Sequence, residues 1–344
     1  MKIEIITTPN DKLKETGFGS YKSCQSVVDS ISKLGHDVKL NMCRTLKDLT
    51  LIVNRKPDLV VLAVKYITVK NGADIWLSDY FAEHDINFSG SSREILKYDS
   101  DKVRAKTHLR NMGIKTADFF TAIPGQYKQE ADLPLAFPLF LKPLDAANGN
   151  GIDDSSLVTN FKDYKSKIIS LFSTFNLPVL AEEYLDGKEF SVAIIETEHN
   201  ELIVSAVEIL PPESKNGLRI LGEKAKKEDS EEIRKIEDQA VLKQITKLAA
   251  DAYFGLGISD FGRIDIKTNK YGDCFFMEAN LVPGMTAGSS YFPLACEIAH
   301  KLTYDTVIQL IVEKGTSRAD YIKPLALPAV IVGKKSITAT YTNG

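Results

Sequence analysis

The segment GRIDIKTNKYGDCFFMEANLVPG (Gly262–Gly284) restricts the fold more than any other part of the chain. Two largely alternating runs flank Asn269-Lys270-Tyr271-Gly272, and Asn and Gly in a short connection between apolar strands mark a β-hairpin. Side chains two apart on a strand share a face. Arg263 and Asp265 therefore lie together on one strand, and Glu278 and Asn280 on the other. A turn centred near Tyr271 sets Asp265 roughly opposite Glu278, with the apolar Ile264, Ile266, Phe275 and Met277 on the alternate positions. A solvated face accounts for one Asp and one Glu. It does not account for an arginine, two acids and an amide gathered on one face just before Pro283-Gly284. Converging oxygen-bearing side chains suit Mg²⁺, which takes few protein oxygens and completes its octahedron with water and phosphate oxygens. Asp265, Glu278 and Asn280 are the candidate metal ligands, for one or two Mg²⁺ with Mn²⁺ as an alternative.

The first hundred residues alternate strand and helix patterns. Strands are expected at Lys2–Thr7, Asp37–Leu40 and Asp58–Val64, and helices at Tyr21–Leu34, Leu46–Arg55 and Asp74–His84. The continuous apolar run of the third strand fits burial on both faces, and the alternation implies a parallel sheet with right-handed crossovers. A second unit begins with a helix over Asp101–Met112, capped by Asp99 or Ser100, and continues through a strand at Phe137–Lys142, a glycine-rich loop at Asp145–Gly151, a helix over Phe161–Phe175 and a strand at Val179–Tyr184. A third carries strands at Phe190–Ile195 and Leu202–Ile209, a polar stretch at Pro211–Asp229, a long helix from Ser230 to about Phe254, the hairpin, and helices across most of Pro293–Lys314. The expected units are an N-terminal α/β domain (1–100), a central subdomain with the glycine-rich loop (101–181), a C-terminal catalytic subdomain (182–315) and a tail (316–344).

Lys142 ends the buried strand FPLFLKP and leads straight into DAANGNG. A lysine leaving an apolar strand beside a glycine loop is hard to explain as a solvated charge, and glycines let backbone N–H groups approach phosphate closely. The loop is neither G-x-x-x-x-G-K-[ST] nor G-x-G-x-x-G, so it is not a P-loop and does not mark a dinucleotide fold. Lys106, on the helix after Asp101, is a second candidate phosphate cation. In LAEEYLDGKE (Leu180–Glu189), backbone groups near Glu182–Leu185 are placed to read a base edge, and Glu189 to accept from ribose hydroxyls.

Five segments in order, SGSSREILKYDSDKVRAK (Ser89–Lys106), FPLFLKP with its glycine loop, EEYLDGKEFSVAI (Glu182–Ile194), GRIDI (Gly262–Ile266) and FMEANLVPGMT (Phe276–Thr286), resemble the ATP-grasp ligases of the D-alanine–D-alanine ligase type. The resemblance implies an α/β (α+β) ATP-grasp fold, in which a parallel-sheet preATP-grasp domain precedes two α+β subdomains that clamp ATP. It implies that Lys106 and Lys142 hold phosphates, that the loop with Asn148, Gly149 and Gly151 closes over them, and that Glu182, Glu183, Leu185 and Glu189 seat the adenosine. Arg263 and the backbone of Gly284 would stabilise an oxyanion, Lys224 matches a family lysine, and Ser289 and Ser290 stand where the family grips the second substrate's carboxylate. The implied reaction activates a small carboxylate as an acyl phosphate, which an amino acid amine then attacks. The resemblance also leaves a homodimer open.

Departures concern the first substrate. The family's glutamate at the start of the first helix is not matched in GFGSYKSCQSVVDS (Gly17–Ser30), where Tyr21 or Lys22 takes its place. Asn148 replaces a loop serine, and Ala225 follows Lys224 where a tyrosine is expected. The ATP and metal half is retained and the first-substrate half rebuilt, so a ligase of something other than two D-alanines is expected. The alternatives are a true D-alanine–D-alanine ligase of peptidoglycan synthesis and a non-catalytic ATP-binding regulator.

Composition narrows the classes further. The 344 residues carry 43 Lys+Arg against 46 Asp+Glu, without the basic excess of a nucleic-acid binder. No apolar run approaches the ~18 residues that span a bilayer, and Met1–Thr7 lacks a signal-peptide core, so a cytoplasmic protein is expected. Four scattered cysteines and five histidines predict reduced thiols and no zinc site.

Overall fold

The computed structural model describes residues 1–9, 17–69, 72–144, 149–214 and 216–317, and the backbone of 330–332 and 335–337. The chain opens with β1 (Lys2–Thr7), α1 (Tyr21–Lys33), β2 (Asp37–Met42), α2 (Leu46–Asn54) and β3 (Leu59–Leu62). These strands form a parallel sheet in the order β2-β1-β3. Parallel neighbours need a crossover, which the two amphipathic helices supply. Ser20 starts α1 by accepting the Ser23 N–H at 3.3 Å, and a Thr45–Asp48 capping box starts α2. The expected helix over Asp74–His84 is shorter. After β4 (Tyr66–Thr68), the residues Asp74–Trp76 form β5 against it, and α3 (Leu77–Ala82) begins only there. Ile75 and Trp76 have a strand partner available, and the Thr68 hydroxyl donates to Asp74 at 2.7 Å.

α4 (Arg93–Ser100) and α5 (Lys102–Asn111) meet at Asp101, which caps α5 by accepting from the Arg104 N–H at 2.9 Å. Neither Asp99 nor Ser100 is the cap. The Asp99 carboxylate is drawn to Lys65 Nζ at 2.9 Å and to the Leu281 N–H at 2.6 Å. Next come β6 (Phe119–Ala122), β7 (Leu139–Pro143), β8 (Leu157–Val158), α6 (Phe161–Phe175) and β9 (Val179–Glu183). The strands pair as an antiparallel sheet, β6-β9-β7-β8, against which α6 packs Tyr164, Ile168 and Leu171.

The remaining elements are β10 (Glu189–Glu196), β11 (Leu202–Leu210), α7 (Glu223–Glu228), β12 (Glu232–Lys235), α8 (Gln239–Leu256), β13 (Phe261–Thr268), β14 (Cys274–Asn280), α9 (Tyr291–His300), α10 (Tyr304–Ser317), β15 (Val330–Val332) and β16 (Lys335–Ile337). They build a sheet in the order β14-β13-β10-β11-β15-β16, with β12 on β11. The long helix expected from Ser230 is therefore split. Glu232–Lys235 pairs with β11, and α8 starts at Gln239, nine residues after Ser230, where Asp238 accepts from the Ala240 and Val241 N–H groups. In the tail, the described backbone adds β15 in parallel beside β11. The four cysteines are free thiols, three of them buried. No helix among the described residues is long and apolar enough to cross a membrane.

The hairpin has the register read from its sequence, Asp265 opposite Glu278 and Arg263 opposite Asn280, but its alternation breaks once. Ile266 pairs with Phe276, so Met277 is an extra residue, a β-bulge. The bulge sends Phe276 into the core with Ile264 and Ile266, and turns Met277 and Glu278 together toward a cleft. The expected apolar face of Phe275 and Met277 is thereby corrected to Phe276 and Ala279. Phe276→Ala should lower unfolding free energy by about 3–5 kcal/mol in urea titrations, whereas Met277→Ala should cost less than about 1 kcal/mol.

Candidate active site

The cleft lies between the sheet of β6–β9 and the sheet of β10–β14. At one end Asp265 is tied from three directions. Arg263 donates Nε at 3.0 Å and Nη2 at 2.9 Å, the Ser191 hydroxyl donates at 2.8 Å, and Asn280 Nδ2 donates at 3.2 Å. Ser191 reaches Asp265 because β10 pairs with β13 in a register that sets the two residues side by side. Burial works to lower the Arg263 pKa, but the Asp265 carboxylate, with that of Glu278 behind it, pushes it up.

Glu278 sits among cations. Lys102 Nζ is 3.7 Å away. Burial opposes its charge, but Lys102, Lys226, Lys142 and Arg263 outweigh that and hold the Glu278 carboxyl down to about 2. The carboxylate is therefore anionic at neutral pH. Among the described residues no group of three or more His, Cys, Asp or Glu is placed to hold a metal by itself. Two carboxylates and one amide oxygen form a hard-oxygen set, which would require phosphate oxygens to complete an Mg²⁺ shell.

Lys106 and Lys142 share one partner. Glu182, 1% exposed, lies 2.7 Å from Lys106 Nζ through Oε1 and 2.6 Å from Lys142 Nζ through Oε2. Lys106 comes from α5, Lys142 from the end of β7 and Glu182 from β9, and Lys106 also donates to the Phe276 carbonyl at 3.2 Å. Burial works to raise the Glu182 pKa, and the two lysines reverse it. Burial lowers the Lys106 pKa, while Glu182 and Glu278 keep that of Lys142 raised. Two buried lysines thus share one buried carboxylate.

Among the other residues singled out in the sequence, Glu183, Leu185, Glu189 and Gly149 line this cleft. Glu183 accepts from the Asp118 N–H at 2.9 Å, and Glu189 is paired with Lys267. Gly149 has φ +69°, and a Cβ there would stand 3.1 Å from the backbone of Gly222. The Gly151 N–H donates to Glu223 at 3.1 Å, so the near end of the glycine loop rests on the start of α7. Asn148 lies outside the described residues. Lys224 is exposed on α7 and does not line the cleft. Lys226, two residues on and turned the other way, does.

Tyr21, Lys22, Gly284, Ser289 and Ser290 form a second group, outside the cleft lining. Tyr21 is 57% exposed on the first turn of α1, beside the exposed Lys22. That turn meets the loop after β14 through a 2.5 Å contact between the Ser23 and Thr286 hydroxyls and the Met285 N–H bond to Phe18. A Cβ on Gly284 would stand 2.9 Å from the Ser290 hydroxyl, which accepts from the Thr286 N–H; Ser289 is exposed.

Sequence reasoning passed over Lys102, Ser191, Lys226, Lys267 and Tyr291, all cleft residues. For Ser191 and Lys267 the missing information was the pairing of β10 with β13, which no local pattern reveals. Lys226 was legible as a cation in a polar stretch, but the helical turn that selects it over Lys224 was not.

A family model described as D-ala D-ala ligase C-terminus matches residues 108–313. The D-alanine–D-alanine ligase of Aquifex aeolicus is 28% identical over 283 residues, 81% of this chain and 89% of that protein. The structure of D-alanine–D-alanine ligase from Bacillus anthracis complexed with ATP has a TM-score of 0.71 to this chain at 22% identity, covering 93% of this chain and 100% of that one. The structure from Coxiella burnetii gives 0.67 at 16% identity, covering 93% and 95%. These likenesses show a shared ATP-grasp fold.

The Glu278 geometry gives an acid-stability prediction. Its pKa in the folded chain lies below its ordinary 4.5, so the unfolded chain takes up the proton first. The contribution is complete above the ordinary value and is lost as pH falls toward the folded one. Urea midpoints across the acid range should fall less steeply for Glu278→Gln than for the wild type.

Proposed function

Since the chain belongs to the D-ala D-ala ligase C-terminus family and is an ATP-grasp carbon–nitrogen ligase, we propose that it uses ATP and Mg²⁺ to activate a small carboxylic or amino acid and join it to an amino acid amine. The observation that carries this is the pairing of Asp265 with Glu278, beside Arg263, on the wall of a cleft that also holds Lys142. Asp265, Glu278 and Asn280 would hold the metal, which when bound neutralises charge on the transferring phosphoryl group. Lys106 and Lys142 fix the phosphates, with Glu182 holding both ammonium groups in place. The apolar walls of Phe140, Leu185, Ile209 and Ile220 fit a planar base, and Glu189 and Lys267 stand near for the ribose. Arg263 faces the reacting carbonyl and stabilises its oxyanion, with the Gly284 N–H as the second donor. Gly149, Gly151 and Lys226 shield the activated acid from water, because an acyl phosphate hydrolyses readily. Of the lysines on α7, Lys226 and not Lys224 takes this part.

We further propose that the first substrate is not D-alanine. The first turn of α1 contains no acidic residue to pair with an ammonium, and Tyr21 and Lys22 stand there instead. Ser289 and Ser290, at the start of α9, would receive the second substrate's carboxylate.

Phosphate release from ATP and Mg²⁺ with acids and amino acids, singly and in pairs, tests both statements. One pair should drive release, and D-alanine alone at low millimolar concentration should not. Robust D-alanyl-D-alanine formation removes the claim about the first substrate; ATP binding without release from any pair removes the ligase. Arg263→Ala should lower kcat by about 10²–10³-fold. Lys142→Ala should instead raise the KM for ATP, its charge serving bound nucleotide in ground and transition states alike.

A further inference from the structure

Arg263 is fixed in its own plane by Asp265, which takes Nε and Nη2. Those two bonds leave the tilt of the guanidinium undetermined. The Tyr291 ring lies over it, with Cζ 5.4 Å from the ring centroid. Tyr291 is the first residue of α9, directly after Ser290, and it lines the cleft. Its hydroxyl donates to Oε1 of Glu231, whose Oε2 is buried with no hydrogen-bond partner among the described residues. Glu231 stands between α7, which carries Lys226 into the cleft and supports the glycine loop at Gly151, and β12, which is anchored on β11. A single side chain thus joins the arginine of the hairpin to the segment that packs on the glycine loop.

Resting on the ligase reading, we propose that Tyr291 is a positioning residue for Arg263 and that Glu231 latches it from the segment bearing Lys226. The ring sets the tilt of the guanidinium and so directs Nη1, which Asp265 does not engage, toward the carbonyl. The latch makes that setting depend on the placement of residues 223–235, so that arginine and glycine loop reach their working positions together. Tyr291 touches no reacting atom and acts through Arg263 alone.

The test compares Tyr291→Phe, which keeps the ring and loses the latch, with Tyr291→Leu, which loses both. It uses the full chain with ATP, Mg²⁺ and the acid–amine pair that releases phosphate fastest. Tyr291→Leu should lower kcat roughly 10- to 100-fold, the scale of a small misplacement of a catalytic group, with the KM for ATP changed less than about twofold. Tyr291→Phe should recover most of that rate and remain several-fold below the wild type. A second reading needs no turnover: the Arg263 Nε–H resonance, shielded by the ring, should persist in Tyr291→Phe and move downfield with faster exchange in Tyr291→Leu. The proposal is overturned by wild-type kcat in Tyr291→Leu, by a loss confined to the KM for ATP, by a Phe variant no better than the Leu variant, or by an unmoved resonance. Wild-type kcat in Tyr291→Phe strikes out the latch. A wild type that binds ATP but releases no phosphate defeats the ligase reading instead, and the resonance then decides the position of the arginine.

Discussion

The buried carboxylate of Glu182 between Lys106 and Lys142 is the interaction on which the arrangement of the cleft depends. It gathers α5, β7 and β9 at one point, and Lys106 extends the connection to β14 through the Phe276 carbonyl. Taking three charges out of water costs several kcal/mol for each ion, and the arrangement holds only because each lysine has Glu182 within ion-pair distance. Hydrophobic packing would fill this space at lower cost. What the charges provide is the Lys142 ammonium fixed at the cleft wall beside Glu182, with the fully buried Lys106 behind them.

The carboxylate end follows a complementary rule. Asp265 is oriented by Arg263, Ser191 and Asn280, so its position is fixed before any ligand arrives. Among the described residues Glu278 has one ion pair, to Lys102 at 3.7 Å, and a surrounding field of cations, which keeps it charged without a short bond to its oxygens. The bulge at Met277 makes this possible. Without the extra residue, the alternation that buries Ile266 could not bury Phe276 and still turn Glu278 into the cleft. One inserted residue reconciles a packed core with a charged wall.

The two ends are joined through elements distant in sequence. Asp99 holds Lys65 and the Leu281 N–H at once, fixing the exit of β14 to the N-terminal sheet. The first turn of α1 meets the loop at Thr286, and Tyr291 reaches Glu231 across the cleft margin. The region proposed for the acid and amine substrates therefore lies where α1 meets the loop after β14, whereas the proposed nucleotide region lies between two sheets.

The sequence by itself determined the hairpin, its register of Asp265 against Glu278, the crossover pattern of the first sheet and the run of α6 from Phe161 to Phe175. Each of these is encoded locally, by alternation with a turn signal or by helical spacing with a cap, so a short window suffices. It also marked Lys106, Lys142 and Glu182 as separate candidates. Only the tertiary structure joined them into one cluster, because they lie on α5, β7 and β9 and meet through non-local pairing. Tertiary pairing likewise turned the expected start of a long helix into β12, since β11 offered an edge that Ile233 could bury against, and moved the cap of α5 to Asp101 once Asp99 was claimed by Lys65. Local pattern fixes which face a side chain takes; which partner that face meets depends on strands and loops far apart in the chain, and that was decided by the fold.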